Sequence, residues 1–184
     1  MSEPRVTMKS SMTLAVCLLV AISMSAQQDQ KYAPTTGPTT TSGYKPVTVY
    51  DRTRDPAKDL KDAIAEATRT NKRILLVVGG DWCIYCGILD NTIASHRQLK
   101  KVLDTYYVTV KINYSKENPN DLFLSKYPPI PDYPHFFVLD SGGTLLHSQP
   151  THKFEHGNNY NAGKIDEFLK RWSQPPRHWL NSVG

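Results

Sequence analysis

The sequence contains few cysteines, three in 184 residues. Small secreted domains that depend on disulfides for stability contain more of them, spread along the chain, so this composition excludes a disulfide scaffold. Cys17 lies near the N-terminus, whereas Cys83 and Cys86 are separated by only two residues. Two cysteines at this spacing indicate a chemical rather than a structural use.

Long apolar runs and blocks of like charge are also missing. No stretch after Ile22 approaches the run of about 18 to 20 apolar residues that a membrane-spanning helix requires, so we expect no span in the mature chain. Lysines and arginines are scattered among acids, so the formal charge of +5 is not concentrated in the basic patch that binding of nucleic acid would require. The apolar content of 39% suffices for one core of moderate size.

The N-terminal stretch differs from the rest of the chain. Arg5 and Lys9 precede an apolar run over 12–22, which small residues follow up to Ser25. This order is typical of a secretory signal peptide, and the small residues predict cleavage after Ser25. We therefore expect residues 1–25 to be removed and the mature protein to be periplasmic or secreted.

Other interpretations of the N-terminus stay open. An uncleaved anchor would use the same apolar run, and Met8 would serve as well as Met1 for the true start. Lipidation of Cys17 is disfavoured because Val16 is too large for the position before a lipidated cysteine. Cleavage would also remove this cysteine, which would leave the later pair as the only thiols of the mature chain.

Residues 26–47 are rich in Thr, Pro, Gly and Gln, which predicts a disordered leader. After it, Asp55 as N-cap and Pro56 in the first turn predict a helix, and the β-branched run over 74–78 predicts a strand that is buried on both faces. The remaining predictions are a helix from Cys83 to Ile93, a helix around 99–103, a strand over 107–113, a proline-rich loop over 115–135 with a helical turn at 121–125, a hairpin over 136–147, a helix from Asn161 to Trp172 and a tail over 175–184.

These elements predict an α/β fold. Helices join the strands over 74–78 and 107–113, so the two strands form a parallel pair with a right-handed crossover, which the hairpin extends. The expected result is a mixed four-stranded sheet flanked by helices, in one domain.

The junction between the first strand and the next helix has the sequence GGDWCIYC over 79–86. This Trp-Cys-x-x-Cys site resembles that of the thioredoxin superfamily, and more closely its exported thioredoxin-like branch. The resemblance extends over about residues 50–172 and predicts a thioredoxin-like domain over 48–174. It includes Tyr133-Pro134, just before a strand, where the family places a cis-proline that faces the dithiol.

The start of a helix is a favourable place for a reactive cysteine. Unpaired backbone N–H groups and the helix macrodipole favour the thiolate, which predicts Cys83 as the nucleophile. Cys86 lies three residues on, on the same helical face, and is expected to act as the resolving thiol. The resemblance further implies that Trp82, Tyr133 and Pro134 border the groove in which a substrate chain lies.

Two departures from the family pattern bear on the mechanism. Thioredoxins carry a buried acid six residues before the first cysteine, where this sequence has Val77. Asp90 and His135 are candidates to accept the proton of Cys86. The alternative interpretations are that Asp90 is an ordinary surface acid and that His135 is an ordinary histidine within a strand. Ile84 and Tyr85, between the cysteines, provide no histidine to stabilise a thiolate, so we expect a reductase-like potential.

Together these features predict an exported thiol-disulfide oxidoreductase that needs no cofactor and no metal. The expected partners are protein thiol or disulfide substrates and an unidentified redox partner, and we expect a monomer. The segment over 150–161 is longer than a connection needs, and it could shape partner choice or form a plain surface loop.

Two other functions stay open. A zinc site could join the cysteine pair to His152 and His156, but about 65 residues lie between the pairs, against roughly 12 to 15 in small zinc fingers. A non-enzymatic interaction module would keep the fold and use Tyr85, Tyr133 and Tyr160 as contacts.

Overall fold

The computed structural model describes residues 43–173 of the chain. The predicted signal peptide, both possible start residues, Cys17, most of the predicted leader and the tail over 175–184 lie outside the described residues. Across 43–173, none of the helices combines the length and the apolar character that crossing a membrane would require.

The helices and strands follow one another in the predicted order. The helices are α1 (Pro56–Thr70), α2 (Ile84–Ser95), α3 (Arg97–Tyr106), α4 (Asp121–Leu124) and α5 (Ala162–Ser173). The strands are β1 (Arg73–Gly79), β2 (Tyr107–Asn113), β3 (His135–Leu139), β4 (Leu145–Pro150), β5 (Glu155–His156) and β6 (Asn159–Tyr160), and a short 3₁₀ helix spans Thr151–Phe154.

Four strands form the main sheet, in the order β2-β1-β3-β4. β1 and β2 are parallel, with Arg73 opposite Tyr107 and Gly79 opposite Asn113. β3 is antiparallel to β1 and to β4. The predicted mixed four-stranded sheet flanked by helices is therefore confirmed, and it has the strand arrangement of a thioredoxin-like fold.

The sheet carries a core on each face. Leu75 and Val77 of β1 pack with α2, α3 and α5 on one face, which also contains both cysteines. Ile74, Leu76 and Val78 alternate with them and pack with α1 on the other face. β1 lies at the centre, buried on both sides, because its side chains are apolar at every position from Ile74 to Val78.

Helix α1 begins as its sequence predicts. The Asp55 carboxylate accepts hydrogen bonds from the N–H groups of Ala57, at 2.8 Å, and Lys58, at 3.3 Å, and Pro56 occupies the first turn. Both N–H groups would otherwise be unpaired at the helix start. The cap and the proline together place the start of the helix at Pro56.

The segment over 150–161 is more structured than a plain surface loop. It contains the 3₁₀ helix and a small antiparallel hairpin of β5 and β6, and Thr151, Phe154 and Tyr160 are buried. Strands of two residues are too short to leave an alternating pattern, so periodicity gave no signal for them.

Val47, the last residue of the predicted leader, is buried and bridges to Val110 of β2.

The tight turn between β3 and β4 depends on Gly143. Its φ of 89° is one that L side chains rarely adopt, and a Cβ there would lie 2.7 Å from Cδ1 of Ile64 in α1. Gly142, one residue earlier, has no such φ, and a Cβ there would meet only Asp140 Oδ1 at 3.5 Å.

Gly143→Ala is therefore expected to lower the free energy of unfolding by about 1 to 3 kcal/mol, since the alanine is strained at this positive φ and displaces the end of the Ile64 side chain. Chemical denaturation measures this change. Gly142→Ala is the matched control and should alter stability by less than about 0.5 kcal/mol. Equal effects of the two substitutions would contradict the assignment of strain to Gly143.

Candidate active site

The cysteine pair lies where β1 gives way to α2. Cys83 is the N-cap of α2, with extended backbone at φ −92° and ψ 108°, and its Sγ accepts a hydrogen bond from the N–H of Cys86 at 3.2 Å. The two residues form a disulfide across a Cα–Cα distance of 5.2 Å. Cys83 is 7% exposed and Cys86 is 1% exposed, so the second sulfur is the deeper one.

Two glycines allow this close packing. A Cβ on Gly79 would overlap Cys86 Sγ, and a Cβ on Gly80 would lie 2.5 Å from Trp82 Nε1 and 2.7 Å from the carbonyl oxygen of Tyr114. Any side chain at either position would push the cysteine turn away from the sheet. The glycines therefore set how near the dithiol sits to the end of β1.

Three aromatic rings border one side of the dithiol. Trp82 donates from Nε1 to the carbonyl oxygen of Tyr114 at 2.6 Å, and its ring meets Tyr133 edge-on at 5.6 Å. Tyr133 stacks on Tyr114 at 4.8 Å, and its peptide bond to Pro134 is cis. Trp82 remains 55% exposed, so these contacts hold an apolar surface in place beside Cys83.

A cavity of about 460 Å³ adjoins the same tryptophan. It opens between the end of β2 and the loop before α1, and the exposed ion pair of Arg52 and Glu117 lies on its wall. The residues that line it are Arg52, Asp81, Trp82, Asn113, Tyr114, Ser115, Lys116 and Glu117.

The segment from the 3₁₀ helix to β6 borders the other side. The Thr151 hydroxyl is within hydrogen-bond distance of the Pro134 carbonyl oxygen, at 2.5 Å, and of the Tyr160 hydroxyl, at 3.0 Å. Tyr160 in turn meets the ring of Tyr85, between the two cysteines, edge-on at 6.0 Å. These contacts connect the cis-proline loop to the first turn of α2.

Lys111, Asp90 and Tyr50 form a small polar cluster between α2 and β2. Lys111 Nζ of β2 pairs with Asp90 Oδ2 of α2 at 2.5 Å, and it also lies 4.6 Å from the centre of the Tyr50 ring. Tyr50 is 7% exposed, and its hydroxyl has no hydrogen-bond partner among residues 43–173. Tyr50 could not be predicted from the sequence, because a single aromatic residue before a helix has no pattern of its own.

Residues 55–141 match the family model described as Thioredoxin-like. The chain contains a thioredoxin-like domain. No curated protein matches the sequence.

Several solved structures resemble this thioredoxin-like domain. A disulphide isomerase from Xylella fastidiosa Temecula1 is 25% identical with a TM-score of 0.60, and the match covers 68% of this chain and 96% of that one. The C-terminal domain of DsbD from Neisseria meningitidis, in its reduced form, is 22% identical with a TM-score of 0.50, and the match covers 64% of this chain and 96% of that one. The second likeness is at the level of the fold alone.

The structure brings most of the predicted site residues together. Trp82, Cys83 and Cys86 lie in one turn, and Tyr133, with Pro134 next to it, contacts Trp82. Asp90 lies one helical turn after Cys86. Tyr114 and Thr151 also lie around the cysteine pair, although no sequence pattern indicated either residue.

His135 is not brought to the dithiol. It lies opposite Val78 in the sheet and its ring contacts Phe137 at 4.8 Å, so it belongs to the face of the sheet that packs on α1. Its Nε2 is hydrogen-bonded to Ser148 Oγ at 2.8 Å. Because side chains alternate along β3, the His135 side chain lies on the sheet face opposite the cysteines. It is therefore not placed to accept the proton of Cys86.

The histidines of the zinc alternative have other surroundings. His152 pairs through Nδ1 with Asp132, and His156 lies exposed in β5. Within residues 43–173, no three Cys, His, Asp or Glu side chains are grouped as a metal site would require. The zinc alternative therefore has no ligand set in this part of the chain.

Burial of His135 has a measurable consequence for stability. Desolvation lowers its pKa from 6.5 to about 4, with His147 and His152 acting in the same direction and Asp132 opposing them. The unfolded chain therefore binds more protons than the folded one between these two values. The stabilisation is complete above pH 6.5 and is lost as the pH falls towards 4.

We expect His135→Phe to remove this part of the pH dependence. Between pH 6.5 and 4, wild-type protein should lose about 2 kcal/mol more unfolding free energy than the variant does. Denaturant titrations at a series of pH values measure the difference. His147→Phe, which keeps an aromatic ring against Trp172, should retain most of the wild-type slope; an unchanged slope in His135→Phe would show that another group titrates.

Proposed function

We propose that this protein is an exported thiol-disulfide oxidoreductase that reduces disulfides in protein substrates, with Cys83 as the nucleophile and Cys86 as the resolving thiol. One observation carries the proposal: a cysteine pair able to form a disulfide closes the first turn of α2, next to an exposed apolar surface. The domain family and the 25% identical disulphide isomerase support the same chemistry.

The helix start supports the role of Cys83. The N–H of Cys86 already points at Cys83 Sγ, and the same N–H, with the positive end of the helix macrodipole, would stabilise a thiolate there. Cys83 is also the less buried of the two sulfurs. An incoming disulfide would therefore reach Cys83 first.

The reaction consists of two exchanges. The Cys83 thiolate attacks one sulfur of the substrate disulfide, a bond forms between them, and the other substrate sulfur leaves with the electron pair as a thiolate. The Cys86 thiolate then attacks Cys83 Sγ, the mixed disulfide breaks, and the second substrate sulfur leaves as a thiolate. Two electrons pass to the substrate, the cysteine pair becomes a disulfide, and a thiol-bearing partner must reduce it again.

The surroundings of the pair suggest how a substrate chain is held. Trp82 and Ile84, which is 79% exposed, offer apolar surface on either side of Cys83, and Tyr133 with Pro134 forms the facing edge. We assign these residues to the substrate groove. The proton of Cys86 is assigned to Asp90 or to water, since Asp90 follows one turn later on the same helix face.

Export and direction complete the proposal. Export rests on the basic, apolar and small-residue order over 1–25, and the disulphide isomerase likeness is consistent with work on disulfides outside the cytosol. The reducing direction rests on Ile84 and Tyr85, which place no histidine between the cysteines to stabilise the thiolate.

Cysteine substitutions test the catalytic assignment. Wild-type protein should catalyse insulin reduction with a dithiol reductant, and Cys83→Ser should fall to the uncatalysed background. Cys86→Ser should form a mixed disulfide with the substrate that persists on a non-reducing gel, because the resolving thiol is gone. A wild-type protein that binds substrate without turnover would favour the interaction module instead.

A redox titration against glutathione tests the direction. We expect a reduction potential well below that of the strongest periplasmic oxidants, about −120 mV, and towards that of thioredoxin, about −270 mV. Tyr85→His adds the missing imidazole and should raise the potential, since a stabilised thiolate favours the reduced form. A wild-type value near the strong oxidants would refute the reductase assignment.

A further inference from the structure

The hydroxyl of Tyr50 is a buried polar group without an apparent structural use. The side chain is 7% exposed, and the hydroxyl finds no hydrogen-bond partner within residues 43–173. A buried hydroxyl that lacks a partner costs about 1 to 3 kcal/mol. Phenylalanine would fill the same space without that cost, so the hydroxyl needs another explanation.

This hydroxyl lies next to the resolving cysteine. Tyr50 Oη is 3.0 Å from the point that a Cβ on Gly79 would occupy, and Cys86 Sγ is nearer still to the same point. Both groups therefore border the space that the missing side chain on Gly79 leaves open. In the disulfide form the sulfur is bonded to Cys83, and the hydroxyl remains without an acceptor.

We propose that, in the reduced protein, the Tyr50 hydroxyl donates a hydrogen bond to the thiolate of Cys86 and so assists the resolving step. Breaking the disulfide frees Cys86 Sγ to turn towards the space above Gly79. A hydrogen bond to a charged acceptor is stronger than one between neutral groups. The inference rests on the proposed function and concerns its second exchange.

The charges around Tyr50 are compatible with a donor that keeps its own proton. Burial raises the pKa of the Tyr50 hydroxyl well above its ordinary value, and Asp90, Tyr160 and Asp81 act in the same direction. The ammonium of Lys111 lies over the ring and is paired with Asp90. Tyr50 therefore stays a neutral donor across the pH range in which a thiol ionises.

The step balances without a further reactant. Cys86 gives its proton to Asp90 or water, and the hydroxyl of Tyr50 stabilises the resulting thiolate until it attacks Cys83 Sγ. The mixed disulfide then breaks and its second sulfur leaves with the electron pair. Tyr50 is the same before and after, so its effect is confined to the ionisation that precedes the attack.

Single-turnover reaction with dithiobis(nitrobenzoate) tests the inference, because each exchange releases one coloured thiolate. Reduced wild-type protein should release the first on attack by Cys83 and the second on attack by Cys86. In Tyr50→Phe the first phase should be unchanged at all pH values. The second should be about tenfold slower at neutral pH, with its midpoint about one pH unit higher.

Tyr107→Phe is the matched control. It also removes a buried tyrosine hydroxyl, one that donates to the Leu169 carbonyl oxygen at 2.7 Å, but Tyr107 pairs with Arg73 at the far end of β1. This variant should lose stability and keep both phases with their pH midpoints.

Several outcomes would overturn the inference. An unchanged second phase in Tyr50→Phe would do so, and so would equal slowing of both phases at every pH, which is the signature of a general structural defect. These results are distinct from failure of the proposed function. Wild-type protein that reacts in two phases but does not reduce insulin would lose its assignment as a protein reductase while the role of Tyr50 is still measured.

Discussion

At the end of β1 the backbone passes so close to Cys86 that no side chain fits between them. Gly79 faces the buried sulfur, and Gly80 lies against Trp82 and the Tyr114 carbonyl oxygen. This close approach fixes the start of α2 at the end of the central strand, where the N–H of Cys86 donates to Cys83 Sγ. Both cysteines are buried there, Cys86 more deeply than Cys83. A wider junction would leave the pair on a mobile loop, without the helix end that favours a thiolate.

The two sides of the dithiol are built by different means. On one side, Trp82, Tyr114 and Tyr133 hold one another through ring contacts and the hydrogen bond from Trp82 to the Tyr114 carbonyl oxygen, and they leave apolar surface exposed. On the other, the Thr151 hydroxyl connects the Pro134 carbonyl oxygen with the Tyr160 hydroxyl, and the Tyr160 ring meets Tyr85 of the helix. The first arrangement suits contact with an apolar stretch of a substrate chain. The second sets the position of the edge that faces the cysteines.

The charged and polar residues near the cysteine pair differ from those of thioredoxins. The acid that thioredoxins place on the central strand is absent, because Val77 is buried in the core at that position. Asp90 lies one turn after Cys86 on the helix, and Lys111 of β2 pairs with it. Tyr50 adds a donor in the space that Gly79 leaves open. A carboxylate next to a thiol opposes its ionisation, whereas a hydroxyl donor favours it.

Much of the fold and the centre of the site could be predicted from the sequence. Local signals were sufficient there: the cap at Asp55, the apolar run of β1, the helical spacing in α5 and the Trp-Cys-x-x-Cys spacing each depend on residues that are near one another in the chain. The arrangement around that centre could not be predicted, since it depends on which face of the sheet a residue reaches and on contacts between distant segments. His135 follows Pro134 directly, yet strand alternation carries it to the opposite face, whereas Tyr50 and Thr151, far apart in sequence, converge on the cysteines because the sheet brings the segments that carry them to the same end. The sequence alone therefore determined the elements and the reactive pair, and its family resemblance indicated the groove residues around Pro134. Only the tertiary structure decided which further side chains surround the pair, because packing across a sheet leaves no local pattern in the chain.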